Sequence, residues 1–302
     1  MAEMSIDKKS IRNFLSSGKT FLIPYYQRQY SWEEEQCKTL WEDIETFFKG
    51  LMENKELEDE YFLGCIVGFI DENDNKCFEV IDGQQRITTL SLLFRALYEK
   101  ASADFQTDDT TKGFVKSFGK CLWHFDEGSD RLDFHKPFLQ SKVVLDADNK
   151  ILEKILSEEF ALNDNDKKSL YAENFLFFCE KINEFVKDNP ASWKDLCNTI
   201  LNKIIILPIE CKNQENAMRI FTTLNDRGMP LSDSDIIKGR IYTNPNLNKE
   251  QKENFAKEWK ELETSLIDED SRKNIFTMDF LFTQYTHILR ARKKDTSKEI
   301  GL

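Results

Sequence analysis

Apolar residues fall into alternating and helical patterns that divide the chain before any chemistry is considered. YFLGCIVGFI (61–70) and CFEVI (77–81) are short apolar runs separated by the polar turn DENDNK (71–76), a pattern that predicts a β-hairpin. Ile87, Leu90, Leu93, Phe94 and Leu97 then recur at three- and four-residue spacing, which predicts an amphipathic helix. Upstream, residues 5–17 predict a short helix, and Pro24 stops regular structure inside FLIPYYQRQYSW (21–32). The stripe Leu40, Trp41, Ile44, Phe47 and Phe48 predicts a helix starting at Ser31 as N-cap. Glu33 to Glu35 then lie in its first turn, where the helix dipole favours negative charge.

From about residue 105 to 200 the pattern is mostly helical, with clear periodicity over 151–160, 171–186 and 193–203. KIIILPIE (203–210) reads as a buried strand, followed by a helix over ENAMRIFTTL and a helical tail over 249–293. No internal repeat or low-complexity tract interrupts this order. The expected fold is α+β: a small sheet core over 1–104 and 203–242, a helical insertion over 105–202, and a helical extension over 243–302.

Composition narrows the picture. With 24 Phe against 11 Gly and 6 Pro, the chain is built for packing rather than disorder. A net charge of −12 argues against whole-surface attraction to nucleic acid or an anionic membrane, so any phosphate contact must come from a local cluster. Six of the 11 Arg (Arg28, Arg86, Arg95, Arg219, Arg227 and Arg240) fall in three polar segments or the helices adjoining them. Arg presents a fixed fork of donors suited to phosphate or carboxylate, and the same residues equally suit structural salt bridges. Seven scattered cysteines show no zinc spacing and read as reduced core residues. No signal peptide is seen and no apolar run approaches ~20 residues, so a cytoplasmic location without a membrane partner is expected.

The first polar segment is DGQQR, where a strand turns directly into a helix. Such a helix start offers free backbone N–H groups and a positive dipole end. Gly83 permits the sharp turn, and Gln84, Gln85 and Arg86 add side-chain donors around it. Asp82 would repel a bare phosphate; it fits if a divalent metal bridges to the phosphates, if it orients water, or if it caps the helix. A phosphate site and a capping network therefore both stay open. The second segment surrounds Gln27 and Arg28 with Tyr25, Tyr26, Tyr30 and Trp32, either a stacking wall for a base or a set of large side chains pinning a loop. In the third, Gly228 and Ser232 suit helix ends, with Asp235 at capping-box spacing. Asn225 and Arg227 remain candidates to face a ligand, and Lys238 and Arg240 candidates to add charge.

Together these segments resemble the DUF262 family, the GmrS-like N-terminal domain of GmrSD modification-dependent restriction systems. The matching motifs are I-P-x-Y-Q-R-x-Y-x-W from Ile23, D-G-Q-Q-R-x-T-T-L from Asp82, and F-x-x-L-N-x-R-G-x-x-L-x-x-x-D-x-x-K from Phe221. The resemblance implies a ParB/sulfiredoxin-like core and nucleotide hydrolysis or gating in defence against modified DNA. It implies that Asp82, Gly83, Gln84, Gln85 and Arg86 handle a nucleoside triphosphate, with Tyr26, Gln27, Arg28 and Tyr30 as the adjoining wall.

The leading expectation is a Mg²⁺-dependent NTPase. Asp82 positions metal or water, Arg86 acts on the phosphates, and Arg28 and Arg227 complete the charge clamp. The alternative is a non-catalytic DNA-sensing module that controls a partner nuclease, and a third reading is a nuclease using Asp82 and Arg86 on DNA directly. Family members usually continue into an HNH-type nuclease domain. His124, His135 and His287 provide no such site, so cleavage is expected only from a separate domain or subunit.

Overall fold

The structure, a computed structural model, describes residues 4–24, 27–54, 59–71, 74–103, 108–143, 149–225, 234, 237–238, 241, 244, 246–266 and 276–294. The chain divides into two compact units, Met1–Ala217 and Met218–Leu302.

The first unit is α+β. Its strands are β1 (Met4–Ile6), β2 (Lys9–Ser10), β3 (Thr20–Ile23), β4 (Tyr61–Asp71), β5 (Asp74–Asp82), β6 (Trp123–Asp126), β7 (Arg131–Pro137), β8 (Leu139–Ser141) and β9 (Ile204–Cys211). Its helices are α1 (Ile11–Leu15), α2 (Glu34–Glu53), α3 (Gln84–Ala103), α4 (Asp109–Leu122), α5 (Asn149–Ile155), α6 (Leu170–Asp188) and α7 (Trp193–Asn202). Helix α8 (Gln214–Asn225) leads into the second unit, which contains α9 (Lys249–Ser265) and α10 (Met278–Lys293).

The main sheet runs in the order β1-β9-β4-β5-β3-β8, with β2 also paired to β9. The β4–β5 hairpin is antiparallel, as its pattern predicts, and lies inside the sheet. The late strand β9 pairs parallel to β4 and is buried along most of its length, so the expectation that a distant strand completes the front unit holds. A parallel neighbour needs a long crossover, and the intervening helices supply it.

Three local readings change. The strand β3 lies between β5 and β8 although its four residues are too few to declare a period. The segment from 105 to 202, expected to be mostly helical, also holds the β6–β7 hairpin and the edge strand β8. Helix α2 starts at Glu34 rather than after Ser31, and the Gln36 side chain accepts from the Glu33 N–H at 2.8 Å. The Ser31 N–H is used elsewhere, as described below.

Helix α3 is the axis of the core. Ile87, Leu90, Leu93, Phe94 and Leu97 are fully buried, and so are Thr89, Leu92 and Arg95. It is therefore hidden on nearly every face rather than amphipathic, because α4 and α6 pack on it. Each large apolar side chain buried here contributes about 1.5–3 kcal/mol. None of the seven cysteines forms a disulfide, and four of them (Cys37, Cys121, Cys197 and Cys211) are buried. Among the described residues no helix is long and apolar enough to cross a membrane.

Candidate anion site at the strand-to-helix turn

Strand β5 ends at Asp82 and α3 begins at Gln84, so Gly83 alone makes the turn. Its φ of +90° lies in a region that L side chains rarely enter, and an added Cβ would stand 3.0 Å from Ile66 Cγ1 and 3.2 Å from the Cys65 carbonyl oxygen. The turn is thus pressed onto β4 and only glycine fits. The first bond of the helix runs from the Ile87 N–H to the Gly83 carbonyl at 2.9 Å, which leaves the amides of Gln84, Gln85 and Arg86 at the open helix start. The Gly83 N–H donates to Asp82 Oδ1 at 2.8 Å. Burial pushes the Asp82 carboxyl above its ordinary range, opposed by that hydrogen bond and by the positive charges of Arg86 and Arg28. One carboxylate and two guanidiniums therefore share one neighbourhood.

Arg86 lies along β4. Its Nη1 donates to the Cys65 carbonyl at 2.5 Å, and a Cβ on Gly64 would come within 3.0 Å of its Cζ and 3.1 Å of its Nη2. Gly64 has a φ of +124°, beside a bulge in the β4–β9 register. The half-buried guanidinium is thereby fixed in place with most of its five donors uncommitted among the described residues.

The loop carrying Arg28 is braced by two glutamines. Gln27 Nε2 donates to the carbonyls of Ile81 at 2.8 Å and Val80 at 3.3 Å. Gln85 Nε2 donates to the Gln29 carbonyl at 2.9 Å, and the Ser31 N–H donates to Gln85 Oε1 at 2.8 Å. Arg28 is exposed and has no hydrogen bond or ion pair among the described residues. Gln84 is 7% exposed and its side chain likewise has no hydrogen-bond partner among them.

The predicted set therefore separates. Asp82, Gly83, Gln84, Arg86 and Arg28 gather at the turn. Gln27 and Gln85 spend their amides on backbone carbonyls and an amide, so they brace the site instead of donating to a ligand. Tyr30 is in the core and not on a pocket wall: it stacks on Tyr171 at a centroid distance of 4.9 Å, and its hydroxyl meets Thr89 Oγ1 at 2.8 Å. Arg95 is no anion ligand either. Its fully buried guanidinium donates to the carbonyls of Ile155 and Ser157, pairs with Glu99, and lies over the rings of Tyr98, Trp123 and Phe160.

Asn225 is the last residue of α8. Lys238 is buried, with its Nζ 3.5 Å from Glu263 and over the Trp259 ring, and so has a structural role within the second unit. Tyr25, Tyr26, Arg227, Gly228, Ser232, Asp235 and Arg240 lie outside the described residues. One functional candidate escaped the sequence reading. Asn174 on α6 is fully buried and donates to Tyr30 Oη at 2.9 Å and the Trp32 carbonyl at 2.7 Å. Its only signal was a polar amide within the apolar run YAENFLFF.

Among the described residues no cluster of three or more His, Cys, Asp or Glu is placed to hold a metal. A Mg²⁺ ion characteristically takes one or two carboxylates and completes its shell with water and substrate phosphates. The single carboxylate of Asp82, with one oxygen engaged by the Gly83 N–H, fits an ion that arrives with its phosphates.

The family described as GmrSD restriction endonuclease, N-terminal domain, matches residues 11–242, most of the chain. No curated protein matches it.

Proposed function

We propose that this chain, which belongs to the GmrSD restriction endonuclease N-terminal domain family, binds and hydrolyses a nucleoside triphosphate at the β5–α3 turn as part of a restriction-type defence against modified DNA. The observation that carries the reading is the convergence of Asp82, Arg86 and Arg28 at an open helix start, where the Gln84 side chain has no hydrogen-bond partner among the described residues. Anions are favoured there by the helix dipole and free amides, and guanidiniums add bidentate recognition.

Each residue has a definable task. Arg86, held flat by Gly64 and the Cys65 carbonyl, presents its remaining N–H groups to phosphate oxygens. Arg28 approaches from the braced loop and adds charge that the ground state leaves uncompensated. Gln84 donates an amide from the helix start. Asp82 would orient an attacking water toward the terminal phosphate, or supply a carboxylate to a bound Mg²⁺. Bound Mg²⁺ would neutralise charge on the β- and γ-phosphates. Phosphoryl transfer asks little more of a protein than positioning and charge stabilisation. The nuclease step belongs to an HNH-type domain or subunit.

Phosphate release from ATP, GTP, CTP and UTP with Mg²⁺, with and without duplex DNA, tests this for the wild type and Arg86→Ala. Release that disappears in a folded Arg86→Ala variant supports it. A wild type that neither binds nor hydrolyses any of the four, but binds DNA with a steep salt dependence, would replace it with a DNA-sensing module.

A further inference from the structure

We infer that Asn174 is a positioning residue through which the inserted helix α6 sets the place of Arg28 and the geometry of the DGQQR turn; this rests on the reading of that turn as the triphosphate site. The donor order is fixed by what each group can give. Thr89 Oγ1 donates to the Gln85 carbonyl at 2.9 Å, which uses its one proton. The Tyr30 hydroxyl must then donate to Thr89 Oγ1, and Asn174 Nδ2 donates to Tyr30 Oη. An unbroken chain thus runs from α6 to Gln85, whose side chain holds Gln29 and Ser31. Asn174 Nδ2 also holds the Trp32 carbonyl directly, and Tyr171, one turn earlier on the same helix, stacks on the Tyr30 ring.

Packing alone does not account for this asparagine. Its Oδ1 is buried and has no hydrogen-bond partner among the described residues, a condition that is unfavourable and rare in native interiors. Leu has the same number of side-chain heavy atoms, branched at the same carbon, and would remove that acceptor. What Leu lacks is the pair of donors that grip the segment from Tyr30 to Trp32. The donors therefore explain the residue, and their targets lie two and four residues beyond Arg28.

The experiment compares Asn174→Leu and Tyr30→Phe with Leu152→Ala, which destabilises the insertion without touching the chain of bonds. Hydrogen exchange of the Ser31 amide and binding of each of the four triphosphates with Mg²⁺ are measured on all three. In Asn174→Leu and Tyr30→Phe, exchange at Ser31 rises and triphosphate affinity falls, each by about tenfold, as the loss of one buried hydrogen bond implies. In Leu152→Ala neither changes selectively. Unchanged Ser31 exchange in both relay variants, or an equal rise in Leu152→Ala, overturns the inference. Should Asn174→Leu fail to fold, Tyr30→Phe carries the test. A wild type that binds no triphosphate sinks the function reading, and the exchange comparison still decides the positioning role by itself.

Discussion

The guanidinium of Arg86 rests on the bare backbone of Gly64: a methyl group there would stand 3.0 Å from Arg86 Cζ. The strand is shaped to receive the arginine, since the φ of +124° at Gly64 is itself open mainly to glycine. Gly64→Ala is therefore expected to cost roughly 1–3 kcal/mol of stability through backbone strain and to displace Arg86. Urea unfolding reads the first effect and phosphate release the second. Adding Arg86→Ala to Gly64→Ala should cost little further activity, because both changes remove the same placed guanidinium.

Asp82 makes stability depend on pH in the sense opposite to a salt-bridged carboxylate. Its folded-state pKa is raised above the ordinary aspartate value of 3.8, chiefly by burial. The native state therefore binds this proton more tightly than the unfolded chain. The resulting stabilisation is complete below the ordinary value and is lost as pH rises through the raised one. Asp82→Asn keeps the oxygen that accepts the Gly83 N–H, so it should be more stable than wild type near pH 7. The difference should vanish near pH 3. Equal denaturation midpoints at both pH values would contradict this, and loss of phosphate release in the same variant is expected from its proposed role.

Arg28 and Gln85 should behave differently although Gln85 holds Gln29 and Ser31, one and three residues beyond Arg28. Arg28→Ala removes an exposed charge with no hydrogen bond or ion pair among the described residues, so stability stays within about 0.5 kcal/mol while triphosphate affinity drops. Gln85→Leu breaks two bonds to the 29–31 loop and should cost about 1–3 kcal/mol as well as affinity. Equilibrium unfolding and triphosphate titration of the two variants separate these outcomes.

Arg95 should prove to be a fold residue. Replacing it with Leu leaves the Ile155 and Ser157 carbonyls without their donors in a core that holds the guanidinium between three rings. Leaving a buried acceptor unsatisfied typically costs about 1–3 kcal/mol. Chemical denaturation checks this. An Arg95→Leu protein of wild-type stability would mean that the contacts with Ile155, Ser157 and the rings contribute nothing net.

Much of the architecture was legible because it is local. The β4–β5 hairpin, α3 and β9 follow from apolar periodicity and strand length, and the turn at Gly83 follows from a strand pattern giving way to a helix pattern across one glycine. The short strands β3 and β8 were not legible, since three or four residues declare no period until a neighbouring strand pairs with them. The three polar segments could be marked as unusual, and the first two do meet at the β5–α3 turn.

By itself, then, the sequence determined the β4–β5 hairpin, the places of α3 and β9 and the position of a polar, glycine-dependent strand-to-helix turn. Only the tertiary structure decided what each polar side chain there does. A glutamine offers the same donors and acceptor whether it meets a phosphate or a carbonyl. For Gln27 the acceptor is the Ile81 carbonyl, 54 residues away, and for Gln85 the partner is the Ser31 amide at the same separation. The same long-range packing put Tyr30 in the core, gave Arg95 to the carbonyls of Ile155 and Ser157, and brought Asn174 from α6 to the loop. Residue type fixes which hydrogen bonds are possible; the distance bridged by the fold selects which of them form.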